Sequence, residues 1–165
     1  MSAPRGSATP AMTGTQISAR VRPLCAADEA DWRKLWADYL DFYGAVVAEE
    51  ATDYSWKRLL DGGDPMFGLV AEVEEVIVGF ANCALQGSSW SVHPTCHLED
   101  LFVATHRRRG GAGRAMLSEL IALARLNEWR AIYWHTRRDN RTARRLYDRF
   151  ATADDVVRYT VPITR

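Results

Sequence analysis

Two periods of hydrophobic and polar positions divide this chain into elements. Trp32, Leu35, Trp36, Tyr39, Leu40 and Tyr43 recur at three- and four-residue steps, one apolar face of an amphipathic helix that opens at Ala27-Asp28 and stops at Gly44. A second helix is predicted over Asp53–Leu60, closed by Gly62-Gly63. The period then shortens to two. Strands are predicted over Ser18–Leu24, Phe67–Val73, Val76–Leu85 and Cys96–Val103, with a tight turn at Glu74-Glu75 and a loop over Gly87–Ser91. Helical spacing returns from Gly113 to about Asn127, with Met116, Leu117, Leu120, Leu123 and Ala124 on one side. Ala131–Thr136 reads as a short buried strand and Arg141–Phe150 as a helix behind the capping-competent Asp139 and Asn140. Val156–Ile163 reads as a last strand. The order β-α-α-β-β-β-α-β-α-β predicts one mixed α/β domain over 18–165, preceded by a Ser-, Ala-, Pro- and Gly-rich disordered tail over 1–17.

Composition narrows the function classes. At 165 residues, 47% apolar and 25% charged, the chain is of ordinary globular make-up. No apolar run approaches the roughly 20 residues that cross a bilayer, and no apolar run follows the first residues, so a cytoplasmic protein with no membrane partner is expected. Cys25, Cys83 and Cys96 have no metal-type spacing, and neither do His93, His97, His106 and His135; no metal is expected. The net charge of zero hides an asymmetry. From Ala26 to Asp64 ten carboxylates face four basic residues, whereas from Ala104 to Arg149 twelve arginines face four carboxylates. The later part suits an anion and the earlier part a cation, although solvated helix faces would show the same charges.

Chemistry concentrates in two motifs. The apolar strand Leu98–Val103 runs through His106-Arg107-Arg108-Arg109 into Gly110-Gly111-Ala112-Gly113-Arg114 and then a helix. A glycine-rich turn that opens a helix aims backbone N–H groups and the positive helix end at one point, which suits a phosphate or pyrophosphate. Arg107, Arg108, Arg109 and Arg114 add forked donors. A nucleotide P-loop would need Lys-Ser/Thr after its last glycine, where this chain has Arg114-Ala115. A dinucleotide fingerprint would need a small residue at Met116 and further βαβ units. Further on lies Asn140-Arg141-Thr142-Ala143-Arg144-Arg145-Leu146-Tyr147, which puts Ala143, Leu146 and Tyr147 on one helix face.

Arg108-x-x-Gly111-x-Gly113 after an apolar strand resembles the pyrophosphate motif of the GNAT superfamily of N-acetyltransferases. Asn140-x-x-Ala143-x-x-Leu146-Tyr147 is similar to that family's second cofactor motif. Two departures stand out. Arg109-Gly110 takes the place of the family's Gly followed by a basic residue, and Ala151-Thr152 follows Phe150 where Gly-Phe is usual. The resemblance implies an α/β acyl-CoA N-acyltransferase fold, a mixed, mostly antiparallel sheet flanked by about four helices. It implies acetyl-CoA as co-substrate, held by Leu101, Phe102, Val103, Arg108, Arg109, Gly110, Gly111, Ala112, Gly113, Arg114, Asn140, Ala143 and Tyr147. It also implies a homodimer, since members of the family are commonly dimers.

Acetyl transfer from a thioester to an amine needs a base for R–NH3+, donors for a developing oxyanion, and a proton for the leaving thiolate. The run Leu98-Glu99-Asp100-Leu101-Phe102-Val103 resembles the polyamine and histone-acetyltransferase-like small-amine branch, which points to Glu99 as base with Asp100 close behind. Neighbouring strand residues point to opposite faces, so one carboxylate is expected to reach the substrate and Asp100 to be structural, paired with an arginine. The resemblance gives Tyr147 the role of acid. Asp38 and Tyr39, in the acidic, aromatic first helix, would meet a cationic amine. A small-molecule primary amine, such as a polyamine or amino acid, is the expected acceptor. A protein or peptide acetyltransferase is the alternative. A basic nucleic-acid module explains the arginines but leaves Asn140 and Tyr147 without a role.

Overall fold

A computed structural model of the protein describes residues 19–163; the N-terminal stretch 1–17 lies outside them, so the expected tail is not addressed. Five strands form one sheet in chain order: β1 (Arg20–Pro23), β2 (Met66–Val73), β3 (Val76–Ser88), β4 (Ser91–Val103) and β5 (Ala131–Trp134). β1 to β4 pair antiparallel, and β5 joins β4 in parallel. Helices α1 (Glu29–Tyr43) and α2 (Glu49–Leu60) follow β1, α3 (Ala112–Leu126) follows β4, and α4 (Arg141–Tyr147) follows β5.

The sheet separates two cores. On one face, Trp32 and Leu35 of α1 and Trp56 and Leu59 of α2 pack on Val70, Phe80 and Phe102. On the other, Met116, Leu117 and Leu120 of α3 cover Leu69, Ala81, Cys83, Cys96 and Leu98. Trp32 is fully buried among Trp36, Trp56 and Phe80, with ring centroids 5.1 to 6.1 Å away. Aromatic burial of this extent anchors α1 against the sheet. Glu74 and Glu75 both take positive φ, 52° and 65°, which matches the twist of a two-residue hairpin and makes the predicted turn.

Several boundaries differ from the sequence reading. α2 begins at Glu49, four residues before Asp53, because Glu49 and Glu50 place negative charge at the positive end of the helix. β4 begins at Ser91, five residues before Cys96, because its polar first half pairs with the end of β3, Gln86 opposite Thr95 and Ser88 opposite Ser91. Pro94 masks this stretch in the sequence. α4 ends at Tyr147 and β5 at Trp134. The predicted last strand over Val156–Ile163 is not formed: residues 151–163 carry no regular structure. An alternating segment becomes a strand only when a sheet edge pairs with it.

Candidate active site

The site begins where two strands part. β4 and β5 share four parallel pairs, from Thr95–Ala131 to Leu98–Trp134. β5 ends there, while β4 continues to Val103, still paired with β3 on its other side. Glu99–Val103 therefore present one backbone edge to a cleft between β4 and β5. Leu101, Phe102 and Val103, named from the sequence among the acetyl-CoA contacts, belong to this stretch. The Phe102 side chain itself is buried in the α1/α2 core.

A β-bulge shapes the cleft wall. Asn82 pairs with Asp100 and the next residue, Cys83, pairs with Leu98, leaving Glu99 as the extra residue of β4. A bulge breaks the alternation of side chains. Asp100 consequently turns to the α1 face, where Asn82 Nδ2 donates to its carboxylate at 3.0 Å and the Tyr39 hydroxyl donates to it as well. Glu99 stays on the face of His97, 3.6 Å from its Nδ1. The expectation of opposite faces fails here for that reason. So does the expected arginine partner: Asp100 is held by a phenol and an amide. Asn82 in turn accepts from the Trp32 indole at 3.3 Å, so a polar chain runs from the aromatic core to the cleft.

The two carboxylates sit in different surroundings. Burial pushes the Asp100 carboxyl above the ordinary carboxylate range, against its hydrogen bonds from Tyr39 and Asn82, and the negative Glu99 adds to the rise. Glu99 is exposed. Its neighbour His97 stacks on Tyr133 at 4.6 Å, and burial lowers the His97 imidazole below its usual value.

The opposite wall comes from α4. Tyr147 packs on Trp134 with ring centroids 5.3 Å apart, and burial pushes its phenol up to about 12, with Tyr43 of α1 adding to the rise. Asn140 is the N-cap of α4: its Oδ1 accepts from the Ala143 amide at 3.2 Å, and its Nδ2 donates to Thr136 Oγ1 at 3.3 Å. Both ends of this side chain are thus engaged within the protein, and it sets where Ala143 and Tyr147 lie.

The floor is the start of α3. Its first backbone bond runs from the Ala115 amide to the Gly111 carbonyl at 2.9 Å, so the amides of Ala112, Gly113 and Arg114 precede any intrahelical partner. Gly111 caps the helix at φ 87°, a left-handed conformation that side chains resist. A Cβ on Gly113 would lie 3.2 Å from Leu146 Cδ2, so this glycine lets the two motif helices meet. The exchanged pair Arg109-Gly110 has a visible consequence: Arg109 takes φ 71°. Arg109, Gly110 and Arg114 are exposed around the turn, whereas Arg108 folds inward. Its Nε donates to the Val103 carbonyl at 3.1 Å, and its guanidinium lies over Phe42 and Phe102 at 4.9 and 5.5 Å. Arg108 thus ties the loop to the end of β4 rather than offering a free fork.

The structure brings Tyr39 to the cleft and leaves Asp38 exposed, outside the cluster. Sequence reasoning missed Asn82, and named Tyr43 on the first helix without giving it a role at the site. The signal for Asn82 was present: it is the single polar side chain within Val78–Leu85. Among the described residues no group of three or more metal-ligating side chains is gathered.

A sheet that parts beside a helix N-terminus, with a tyrosine-bearing helix across the gap, defines an acyl-CoA-dependent N-acetyltransferase. Residues 31–151 match the acetyltransferase (GNAT) family, and the chain belongs to it. It is 30% identical over 141 residues to the D-amino-acid N-acetyltransferase HPA3 of Saccharomyces cerevisiae, covering 84% of this chain and 88% of that one. It is 29% identical over 135 residues to the uncharacterized N-acetyltransferase YhfO of Bacillus subtilis, covering 82% and 90%. Among solved structures, a probable acetyltransferase superposes with a TM-score of 0.77 at 23% identity, over 88% of this chain and 99% of that one. AAC(6')-Iy in complex with the bisubstrate analog CoA-S-monomethyl-acetylneamine superposes with a TM-score of 0.74 at 17% identity, again over 88% and 99%. At these identities the likeness to the solved structures is one of fold.

Proposed function

We propose that this chain transfers the acetyl group of acetyl-CoA to the primary amine of a small molecule, with an amino acid or polyamine as the acceptor class. The parting of β4 and β5 between the start of α3 and Tyr147 carries this reading. The free amides of Ala112, Gly113 and Arg114, with Arg109 and Arg114 nearby, suit the pyrophosphate of CoA. The β4 edge at Leu101–Val103 faces the position of the thioester carbonyl. The amine attacks that carbon, a C–N bond replaces the C–S bond, Glu99 takes the ammonium proton directly or through water, and the Tyr147 hydroxyl supplies the thiolate. A phenol pushed up to about 12 stays protonated at neutral pH, as that donor must. Asp100 acts as a positioning group that fixes Tyr39 against the sheet. The D-amino-acid acetyltransferase relative supports an amino-acid acceptor, and the acidic, aromatic α1 suits the amine's charge.

Titration calorimetry with acetyl-CoA, followed by a free-thiol assay over D- and L-amino acids, polyamines and a histone peptide, tests the reading. Binding with turnover on one small-amine class is expected. Turnover on the peptide alone would replace the acceptor class, and no acetyl-CoA binding would remove the proposal.

A further inference from the structure

An ammonium and acetyl-CoA become an amide, a thiol and one free proton, so each turnover ends with a proton that must leave the site. Glu99 is its first acceptor. The bound amine and acetyl-CoA occupy the cleft that exposes Glu99, so the proton needs a way out along the protein. His97 stands on that way. It pairs with Ala84 of the α1/α2 core across the β3–β4 ladder, so its side chain lies on that face of the sheet, and the bulge keeps Glu99 there too. His97 Nδ1 is 3.6 Å from Glu99 Oε1. A slight turn of either side chain, or one water, closes that gap, and such contacts tighten once substrate is bound.

The imidazole is held by its face. Tyr133 of β5, level with His97 in the parallel register, stacks on it with centroids 4.6 Å apart and 9° between the planes. Tyr133 is itself fixed, donating its hydroxyl to Gln86 Oε1 at 2.7 Å. Stacking uses the π face and leaves both ring nitrogens at the edge for proton exchange. His135 meets His97 in a T-shape at 5.4 Å and is exposed. Three groups, Glu99, His97 and His135, thus lead from the cleft to water. The surroundings also keep His97 ready to accept. Burial, the largest influence, lowers its imidazole below the ordinary 6.5. Glu99 opposes this, His135 of β5 and Arg158 of the segment after α4 add to it, and Asp100 opposes it from the same strand. The ring is therefore uncharged at neutral pH, with a lone pair free on one nitrogen.

We propose that His97 serves the transfer as a positioning residue that acts through Glu99, taking from its carboxyl the proton removed from the ammonium and passing it to water beside His135. The Glu99 O–H bond breaks, an N–H bond forms at His97 Nδ1, and the imidazolium releases a proton to water. Glu99 is left a carboxylate for the next turnover. The relay rests on the transfer reading above, in which Glu99 is the base.

His97→Phe tests it, keeping an aromatic ring on Tyr133 while removing both nitrogens. With acetyl-CoA and D-lysine as substrates, kcat at neutral pH should fall about tenfold, while KM for the amine and calorimetric acetyl-CoA affinity keep their wild-type values. Wild-type kcat should also decline on the acid side, below the ordinary 6.5, as His97 gains its proton, and in His97→Phe that limb should move to lower pH. A full kcat, or a lower plateau with the wild-type acid limb, would reduce His97 to packing and overturn the relay. Glu99→Gln separates the relay from the transfer reading. If it loses activity while His97→Phe keeps it, the transfer reading stands and the relay falls. If it keeps full activity, the base assignment falls and the relay with it. A titration without turnover completes the test. Followed by NMR of the histidine ring protons, the His97 midpoint should drop in Glu99→Gln, because the carboxylate's attraction raises it. An unmoved midpoint would show that the two groups do not communicate, and would overturn the proposal.

Discussion

Glu99, Asp100 and Tyr147 are three ionisable groups with three different surroundings, and each carries its own prediction. Glu99→Gln removes a proton acceptor without changing shape; kcat/KM at neutral pH should fall by about a hundredfold, with acetyl-CoA affinity unchanged in calorimetry. Tyr147→Phe keeps the contact with Trp134 and should lower kcat by about a hundredfold. Turnover that survives this change would leave the phenol as packing only. Asp100 makes a prediction about stability. Its folded carboxyl lies above its ordinary value of 3.8, so the native state holds the proton more tightly than the unfolded chain. That contribution is present below the ordinary value and is lost as pH rises through the folded one. Asp100→Asn should therefore gain stability over wild type as pH rises above the ordinary value of 3.8, read as a widening gap between urea midpoints. A gap that stays constant would show that burial of the charge is not what raises this group.

At the scale of elements, α4 has only seven residues and depends on its cap. Asn140→Ala should cost about 1 kcal/mol of stability and loosen the register of Ala143 and Tyr147. Acetyl-CoA affinity and kcat would then fall together, whereas Asn140→Asp, which keeps the acceptor for the Ala143 amide, should restore most of both. The family motif in the sequence marks Asn140 as a cofactor contact, and the structure shows the same side chain holding its helix. Spacing alone does not distinguish these roles, because both place a short polar side chain just before the helix. The bulge at Glu99 is the converse case. Nothing in Leu98-Glu99-Asp100-Leu101 reports an extra residue, because a bulge is a relation between two strands and the register of β3 decides it.

At the scale of the molecule, β1 is held to the rest by charge as well as by the sheet. Arg22 reaches both Asp28, at 2.7 Å from two nitrogens, and Glu72 of β2. The guanidinium holds the buried Asp28 carboxyl down at about 2, below its ordinary 3.8. A depressed pKa contributes stability above the ordinary value that is lost as pH falls through the folded one. Acid should therefore remove about 2 kcal/mol between about pH 5 and about pH 2 in wild type, and Asp28→Asn should lack that part of the acid transition. Denaturant melts of both proteins across this range measure the difference. The charge asymmetry between the two halves of the chain also acquires a place: the acidic α1 and α2 cover one face of the sheet, and the arginine-rich loop before α3 lies at the cleft's end.

The sequence by itself determined the element order through α4, the glycine turn before α3 and the family, because each is written in spacing within one segment. Trp32, Leu35 and the face of α3 were legible for the same reason: helical periodicity is local. The tertiary structure alone decided which carboxylate is buried, since Asp100 depends on the register of β3 against β4 and on Tyr39 arriving from a distant helix. It also redirected Arg108, which is drawn to a carbonyl and two aromatic rings that only the fold brings together. For the last segment the alternation of Val157, Tyr159 and Val161 sets a readiness to form a strand, but a strand exists only against an edge, and that edge belongs to the fold.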